Sequence, residues 1–348
     1  MRVAFLLPSL QNRGPIVFTK YLIEGLLPHV ESIEVFYFKD IVEIDLPVRC
    51  KKISFFSKYD FSDFDIVHTT MLKADLYGLI YKRSIARKLV SSVHNEFEAD
   101  LDFLYPWYKA KIYALLWKLA LTAPLRIVTS SNEQLSYYKN RLLGKPRFEL
   151  IPYGVSRKAL NVIPEHESSL LAQLKAKYTV VGSCGLLIER KGFEQLVQLL
   201  KDFPDFAVVI IGEGEQRSKL EQLSERLGVS DRLILLGFKS NSVDYYSYFD
   251  IYAMTSYSEG FGLAMLEAMS QGLPLVCSDL PIYKSYFYSE DIGLFHAGDQ
   301  TGLNRAVSRI ASDLRGFGSR SYKVYSEYFS LEAMASAHLE MYQDLIGS

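Results

Sequence analysis

Cysteine is scarce in this chain: three in 348 residues, Cys50, Cys184 and Cys277, far apart and each in an apolar context. An odd, scattered set argues against a disulfide framework or a thiolate metal cluster and fits a reducing cytoplasm. Long hydrophobic runs are missing too. The best candidate, Ile112 to Leu125, is about 14 residues long and broken by Lys118, short of the roughly 20 that a membrane span needs. The opening Met1-Arg-Val-Ala-Phe-Leu-Leu-Pro8 is too short an apolar run for a signal peptide and reads as a first strand. Neither low-complexity tracts nor short-period repeats are visible.

Apolar residues are plentiful, at 49% of the chain with 14% aromatic, enough for two cores in a chain of this length. The net charge of −1 hides an asymmetry. Residues 1–160 hold 23 Lys and Arg against 16 Asp and Glu, and the remainder 16 against 24, so the first half is the candidate for an anionic surface. No nucleic-acid partner is expected.

Short apolar, β-rich runs alternate with longer helical patterns. Strands are expected near Val3 to Leu7, Ile33 to Phe38, Asp65 to His68, Leu89 to Val93 and Arg126 to Ser130. In the second half they are expected near Thr179 to Cys184, Ala207 to Ile211, Leu233 to Leu236, Ile251 to Met254 and Leu275 to Cys277. Continuous apolar strands separated by helices indicate parallel sheets covered on both faces, and two such series make two Rossmann-like, doubly wound α/β domains. The boundary is placed in the polar stretch between Ser156 and Ser169, giving domains 1–160 and 161–348. The amphipathic helix from Leu331 to Ile346 has the option of packing back on the first domain.

The most informative stretch runs from Ser256 to Pro274, with Glu259 and Glu267 eight positions apart around Gly260-Phe261-Gly262. Leu263, Leu266 and Met269 carry helical spacing, and Gly272 with Pro274 is a stop signal, so the helix starts near Phe261 and Gly262. Free amides and the positive dipole end favour a phosphate there. A diphosphate at that point would have one carboxylate toward each side, each able to accept from a vicinal diol, a sugar for one and a ribose for the other. The residues that follow the strand ends are Gly14, His94, Gly185 to Gly192, Gly212 to Gly214 and Glu259. They fall on one edge of each sheet, where doubly wound folds bind ligands, and they converge if the two domains face each other across a cleft.

Taken in order, Gly185-Leu-Leu-Ile-Glu-Arg190-Lys191-Gly192, Ile211-Gly212-Glu-Gly214, Leu236-Gly237-Phe238 and the Glu259 to Glu267 element resemble the retaining family 4 glycosyltransferases of GT-B fold. The resemblance implies that Arg190 and Lys191 hold the donor diphosphate. It also implies that the amides of Phe261, Gly262 and Leu263 contact phosphate and sugar, Glu259 the transferred sugar and Glu267 the ribose. Gly237 and Phe238 would lie beside the base, and His94 near the donor sugar and leaving phosphate. No metal or cofactor is implied. The resemblance further implies a nucleotide-sugar donor, with UDP favoured over GDP although no residue names the base, and a glycan or lipid-linked acceptor, as in bacterial surface polysaccharide synthesis (capsule, O-antigen or lipopolysaccharide).

His68 reads as structural, and Asp63-Phe64-Asp65, although it spells a metal-binding Asp-x-Asp, leads straight into a buried strand. The loop Gln11 to Ile16 lacks a double glycine, which leaves Gly14 as the point of close ligand approach. The segment Leu104 to Lys118 mixes aromatics with lysines as interfacial helices do. With Lys82, Arg83, Arg87 and Lys88 it suggests a peripheral contact with anionic lipid on the cytoplasmic side. The alternatives to a transferase are a non-catalytic nucleotide-sugar-binding partner, a GT-B epimerase and a phosphorylase, the last needing a lysine-bound cofactor site that the sequence does not display.

Overall fold

Two all-parallel sheets organise the chain, each the centre of its own compact unit. The computed structural model describes residues 1–85, 88–98, 101, 105–142, 144 and 146–347; Arg87 and Leu104 lie outside them. One unit comprises Met1–Gly154 and Leu331–Ser348, the other Val155–Ser330. The division falls a few residues before the expected boundary at 160, and the last helix belongs to the first unit.

Among the described residues the first unit contains β1 (Arg2–Leu7), β2 (Ser32–Tyr37), β3 (Arg49–Lys52), β4 (Ile66–Thr70), β5 (Leu89–Ser92), β6 (Arg126–Thr129) and β7 (Arg147–Leu150). They lie in the order β3-β2-β1-β4-β5-β6-β7. Its helices are α1 (Gly14–Leu26), α2 (Met71–Ile80), α3 (Lys82–Ile85), α4 (Trp107–Ala120), α5 (Asn132–Arg141) and the final helix of the chain. The second unit orders its strands β10-β9-β8-β11-β12-β13. These are β8 (Thr179–Cys184), β9 (Phe206–Ile211), β10 (Leu233–Gly237), β11 (Ile251–Met254), β12 (Leu275–Ser278) and β13 (Gly293–Phe295). Its helices are α6 (Glu165–Lys177), α7 (Glu194–Asp202), α8 (Arg217–Leu227), α9 (Leu263–Ser270), α10 (Gln300–Ala311) and α11 (Leu314–Val324), followed in the first unit by α12 (Leu331–Gly347), which packs on α1. No described helix is long and apolar enough to cross a membrane.

The central strands bury both faces, as their unbroken apolar runs demand. Every residue of β4, β5, β6, β9, β11 and β12 is buried, and the core of the second unit packs α7 and α10 onto β9, β11 and β12. Each expected strand is present with ends within two residues of the reading. The three strands that the pattern does not reveal are β3, β7 and β13, all at sheet edges. β3 and β7 carry Arg49, Lys51, Lys52, Arg147 and Glu149 and are half exposed, so the apolar signature of a two-face-covered strand is not required of them. β13 is only three residues long.

In each sheet the chain winds outward from the central strand, returns, and continues the other way. The switch points lie between β1 and β4 in the first unit and between β8 and β11 in the second. Asp65 serves the backbone as its sequence context suggests, accepting from the Arg2 N–H at 2.7 Å.

Candidate functional site

The loops leaving β8 and β11 meet at the switch point of the second unit and are bonded to each other. After β8, residues Glu189–Lys191 form a 3-10 turn closed by Gly192 at φ +61°. A Cβ on Gly192 would lie 2.3 Å from the Thr255 carbonyl oxygen, so only glycine lets the two loops approach this closely. The Tyr257 N–H donates to the Arg190 carbonyl at 2.8 Å, and Thr255 Oγ1 to the Lys191 carbonyl at 3.1 Å. Gln195 Nε2 bridges the Gly192 and Thr255 carbonyls. Arg190 and Lys191 therefore ride on a turn fixed by its backbone.

Lys191 Nζ donates to Glu259 Oε1 at 2.5 Å, and Ser256 Oγ donates to the same oxygen at 2.7 Å. Both members of the ion pair are largely buried. Such a pair is strongly destabilised by removal of one partner, because the other charge is left desolvated. Ser256 lies within the motif stretch but has no role in the reading of the sequence; its offset of three from Glu259 is the local signal for this contact.

Beyond Glu259 the chain turns into α9. Phe261 is buried against Tyr283, Tyr286 and Phe329, and its carbonyl accepts from Tyr283 Oη at 2.8 Å. Gly262 is the N-cap at φ +82° and no side chain caps the helix. The first amides of α9 are thus presented as donors, as the sequence expects for a phosphate seat. Tyr283 was not anticipated, since nothing local in the sequence ties it to Phe261.

Glu267 sits one turn into α9 and is half-buried. Its charge reaches the end of β8: the Cys184 thiol is pushed up to about 11, by burial first, with Glu267 adding to the rise and Lys191 opposing it. Tyr246 is raised by burial, with Cys184, Tyr252 and Glu267 contributing. Glu259 acts in the same direction on buried Tyr283, after desolvation. The two carboxylates and Lys191 thus share one electrostatic neighbourhood at the carboxyl ends of β8 and β11.

At the end of β10, Gly237 takes φ +77°, its carbonyl accepts from the Gly212 N–H at 2.9 Å, and Phe238 is 64% exposed. Leu186, directly after Gly185, is 63% exposed. A large aromatic and a large aliphatic side chain left bare beside a polar site suit the face of a planar base. The Phe238 loop is held from behind: Lys239 and Tyr245 both bond the Glu167 carboxylate of α6, which they and His166 hold below its usual range against the opposing effect of burial.

His94 and Gly14 lie in the first unit. His94 is buried, with Nδ1 bonded to Tyr153 Oη and Nε2 to Thr70 Oγ1, and Phe18 packs against its ring. Burial pulls its pKa down to about 3, so it is neutral at physiological pH. His68 is equally buried, bonded to Ser92 Oγ at 2.8 Å and to Tyr342 Oη at 2.5 Å. Gly14 opens α1 with nothing within 4 Å of the place a Cβ would take.

Two doubly wound parallel units in tandem make this the GT-B fold, with the candidate site at a switch point of the second. Residues 170–323 match the family of glycosyl transferases group 1. The O-antigen biosynthesis glycosyltransferase WclY of Escherichia coli is 23% identical over 366 residues, covering 99% of each chain. The lipopolysaccharide core biosynthesis glycosyltransferase LpsE of Rhizobium meliloti (strain 1021) is 31% identical over 166 residues, 47% of this chain and 49% of that one. Among solved structures, Anabaena HepE in complex with UDP-glucose superimposes with a TM-score of 0.79 at 19% identity, covering 99% of this chain and 100% of that one. Sucrose-phosphate synthase from Thermosynechococcus elongatus gives 0.80 at 19% identity over 99% of both chains.

Proposed function

We propose that the protein is a retaining, metal-independent glycosyltransferase. In this reading it moves a hexosyl group from a nucleotide-diphosphate sugar, UDP-linked rather than GDP-linked, to a glycan or lipid-linked acceptor in bacterial surface polysaccharide synthesis. The observation that carries the reading is the Lys191–Glu259 pair set beside the uncapped start of α9 at the switch point of the second unit. The E. coli and R. meliloti relatives, named for O-antigen and lipopolysaccharide core synthesis, support the pathway. HepE, crystallised with UDP-glucose, supports the donor class.

In the proposed reaction the bond between the anomeric carbon and the diphosphate oxygen breaks, its electron pair leaving on the diphosphate. Arg190, Lys191 and the amides of Phe261, Gly262 and Leu263 meet that charge, and fixed cations and dipoles of this kind supply most of the transition-state stabilisation. The acceptor oxygen bonds the anomeric carbon on the face the leaving group vacates, and its proton passes to a leaving-phosphate oxygen. Glu259 holds the sugar hydroxyls and Glu267 the ribose diol. Gly237 and Phe238 border the base, and Gly185, beside the Lys191 side chain, and Gly14 are points of close approach for the donor. His94 is assigned a place near the donor sugar and leaving phosphate as a neutral side chain rather than a part in proton transfer, in keeping with its depressed pKa; with both ring nitrogens bonded to Tyr153 and Thr70, it reaches the donor as a hydrogen-bonding group only by giving up one of those partners.

Turnover tests this reading. Incubated with UDP-, GDP- and ADP-sugars and extracts of surface glycan, the protein should release nucleoside diphosphate and form an α-linked product from an α-linked donor. An inverted product would exclude retention, and donor binding without transfer to any acceptor would favour a binding module.

A further inference from the structure

Two lysines stand without a carboxylate at the carboxyl end of the first sheet. Lys39 follows β2, and Lys73 lies in the first turn of α2, directly after β4. Neither makes a hydrogen bond or an ion pair among the described residues. The carboxylates nearest in the chain to Lys39 are engaged: Asp40 pairs with Lys52 at 3.0 Å, and Glu43 accepts from the Asn12 N–H at 3.0 Å. Lys73 Nζ lies over two rings, 5.3 Å from the centroid of Phe38 and 5.4 Å from that of Phe55. It is half-buried, and its pKa is held below the ordinary value by desolvation first and then by the charge of Lys39. Two cations that feel each other, with no carboxylate to offset them, favour an anion between them. Met71, two residues before Lys73, takes φ +70°, a strained conformation for a residue with a side chain. It turns the chain sharply from β4 into α2.

An aromatic ring extends the pair. Phe56 is 91% exposed and meets Phe55 edge-on at 5.4 Å, so Phe55 stands between it and the Lys73 ammonium. A bare ring beside fixed charge suits a saccharide, which offers an apolar ring face along with its polar groups, better than a small inorganic anion. The cationic patch is also narrow. Exposed Asp40, Glu43, Asp45 and Asp60 lie in the same two connections, after β2 and after β3, and would repel an extended polyanion. We propose that Lys39, Lys73 and Phe56 form a saccharide subsite for a negatively charged acceptor, one that carries a phosphate ester or a uronate carboxylate. This inference rests on the transfer reaction proposed above and gives its acceptor a charge.

Isothermal titration of the full chain tests it with mannose 6-phosphate, a galacturonate trimer, neutral maltotriose and inorganic phosphate. At low salt the wild type should bind at least one of the charged saccharides about tenfold more tightly than maltotriose, and the one preferred tells ester from carboxylate. Lys39→Gln with Lys73→Gln should remove the preference, Lys73→Arg should keep it, and Phe56→Ala should weaken the charged saccharide without affecting inorganic phosphate. Circular dichroism and UDP affinity should be unchanged in all of them. In the transfer assay with surface-glycan extract, the double variant should raise the acceptor KM about tenfold with kcat within about twofold of wild type. Failure to bind either charged saccharide, equal affinity for charged and neutral ones, or a preference that survives in the double variant would overturn the proposal. So would inorganic phosphate held as tightly as the saccharides and with the same dependence on the two lysines. A wild type that binds no nucleotide-sugar would contradict the transferase reading instead, and the saccharide titrations would still read this subsite.

Discussion

At Lys191 and Glu259 one short contact joins two residues to which the family resemblance gives different work, the diphosphate and the sugar. Their effects should therefore be coupled. Lys191→Ala is expected to lower kcat about 100- to 1000-fold, the range for loss of one donor to a developing oxyanion. The double variant with Glu259→Ala should lose clearly less than the product of the two single losses, because each single change strands a buried charge; steady-state kinetics on all four proteins forms the cycle. Glu267→Ala should weaken binding of the bare nucleoside diphosphate about 10- to 100-fold, the equivalent of one charge-assisted hydrogen bond. Glu259→Ala should act on turnover more than on that affinity. Equal losses of nucleotide affinity in both would refute this division of labour. The motif residues were legible because they lie in short runs whose spacing has a local cause. Tyr283 and Glu167 were not, since each reaches its partner from another element through tertiary packing.

Among the elements, α9 illustrates how local chemistry fixes a site. Gly262 needs φ +82°, and a Cβ there would lie 3.1 Å from Tyr283 Oη and 3.2 Å from Met254 Sδ. Gly262→Ala should therefore destabilise the second unit by about 1–3 kcal/mol, the usual magnitude for a strained backbone position, and weaken donor binding with it. Urea unfolding and a nucleotide titration measure the two effects separately. The central strands could be read from the sequence because burial on both faces forces an apolar run. The edge strands β3 and β7 could not, since their side chains meet water and their register comes from β2 and β6. The amphipathic reading of Leu331 to Ile346 was sufficient to expect a helix, whereas its place in the first unit depends on a surface of α1 that only the folded chain presents.

For the molecule as a whole, buried titratable groups make acid stability a readout of the first unit. Burial lowers His94 to about 3 and His338 to about 4, and moves His68 well below its ordinary value. Below pH 6.5 the unfolded chain takes up protons that these native side chains refuse, so the stability they hold at neutral pH is lost as pH falls. At pH 5, His94 and His338 should each account for about 2 kcal/mol of that loss. Asp75 works the other way. Fully buried, it is raised to about 6 by desolvation, against the hydrogen bonds from Thr69, Ser91 and Trp117. Its native form keeps a proton that the unfolded chain releases near pH 4, a contribution present at low pH and lost as pH rises through 6. Asp75→Asn should therefore steepen the fall in stability between pH 7.5 and pH 5 by about 1 kcal/mol, as followed by urea unfolding at the two pH values.

The proposed function requires a nucleotide-diphosphate sugar seated where β8 and β11 part. Isothermal titration of the full chain with UDP-, GDP- and ADP-sugars, repeated on Glu267→Ala, addresses that directly. The expected result is saturable binding of a UDP-sugar that Glu267→Ala weakens at least about tenfold. Binding of none of these donors, or an affinity that Glu267→Ala leaves unchanged, would contradict it.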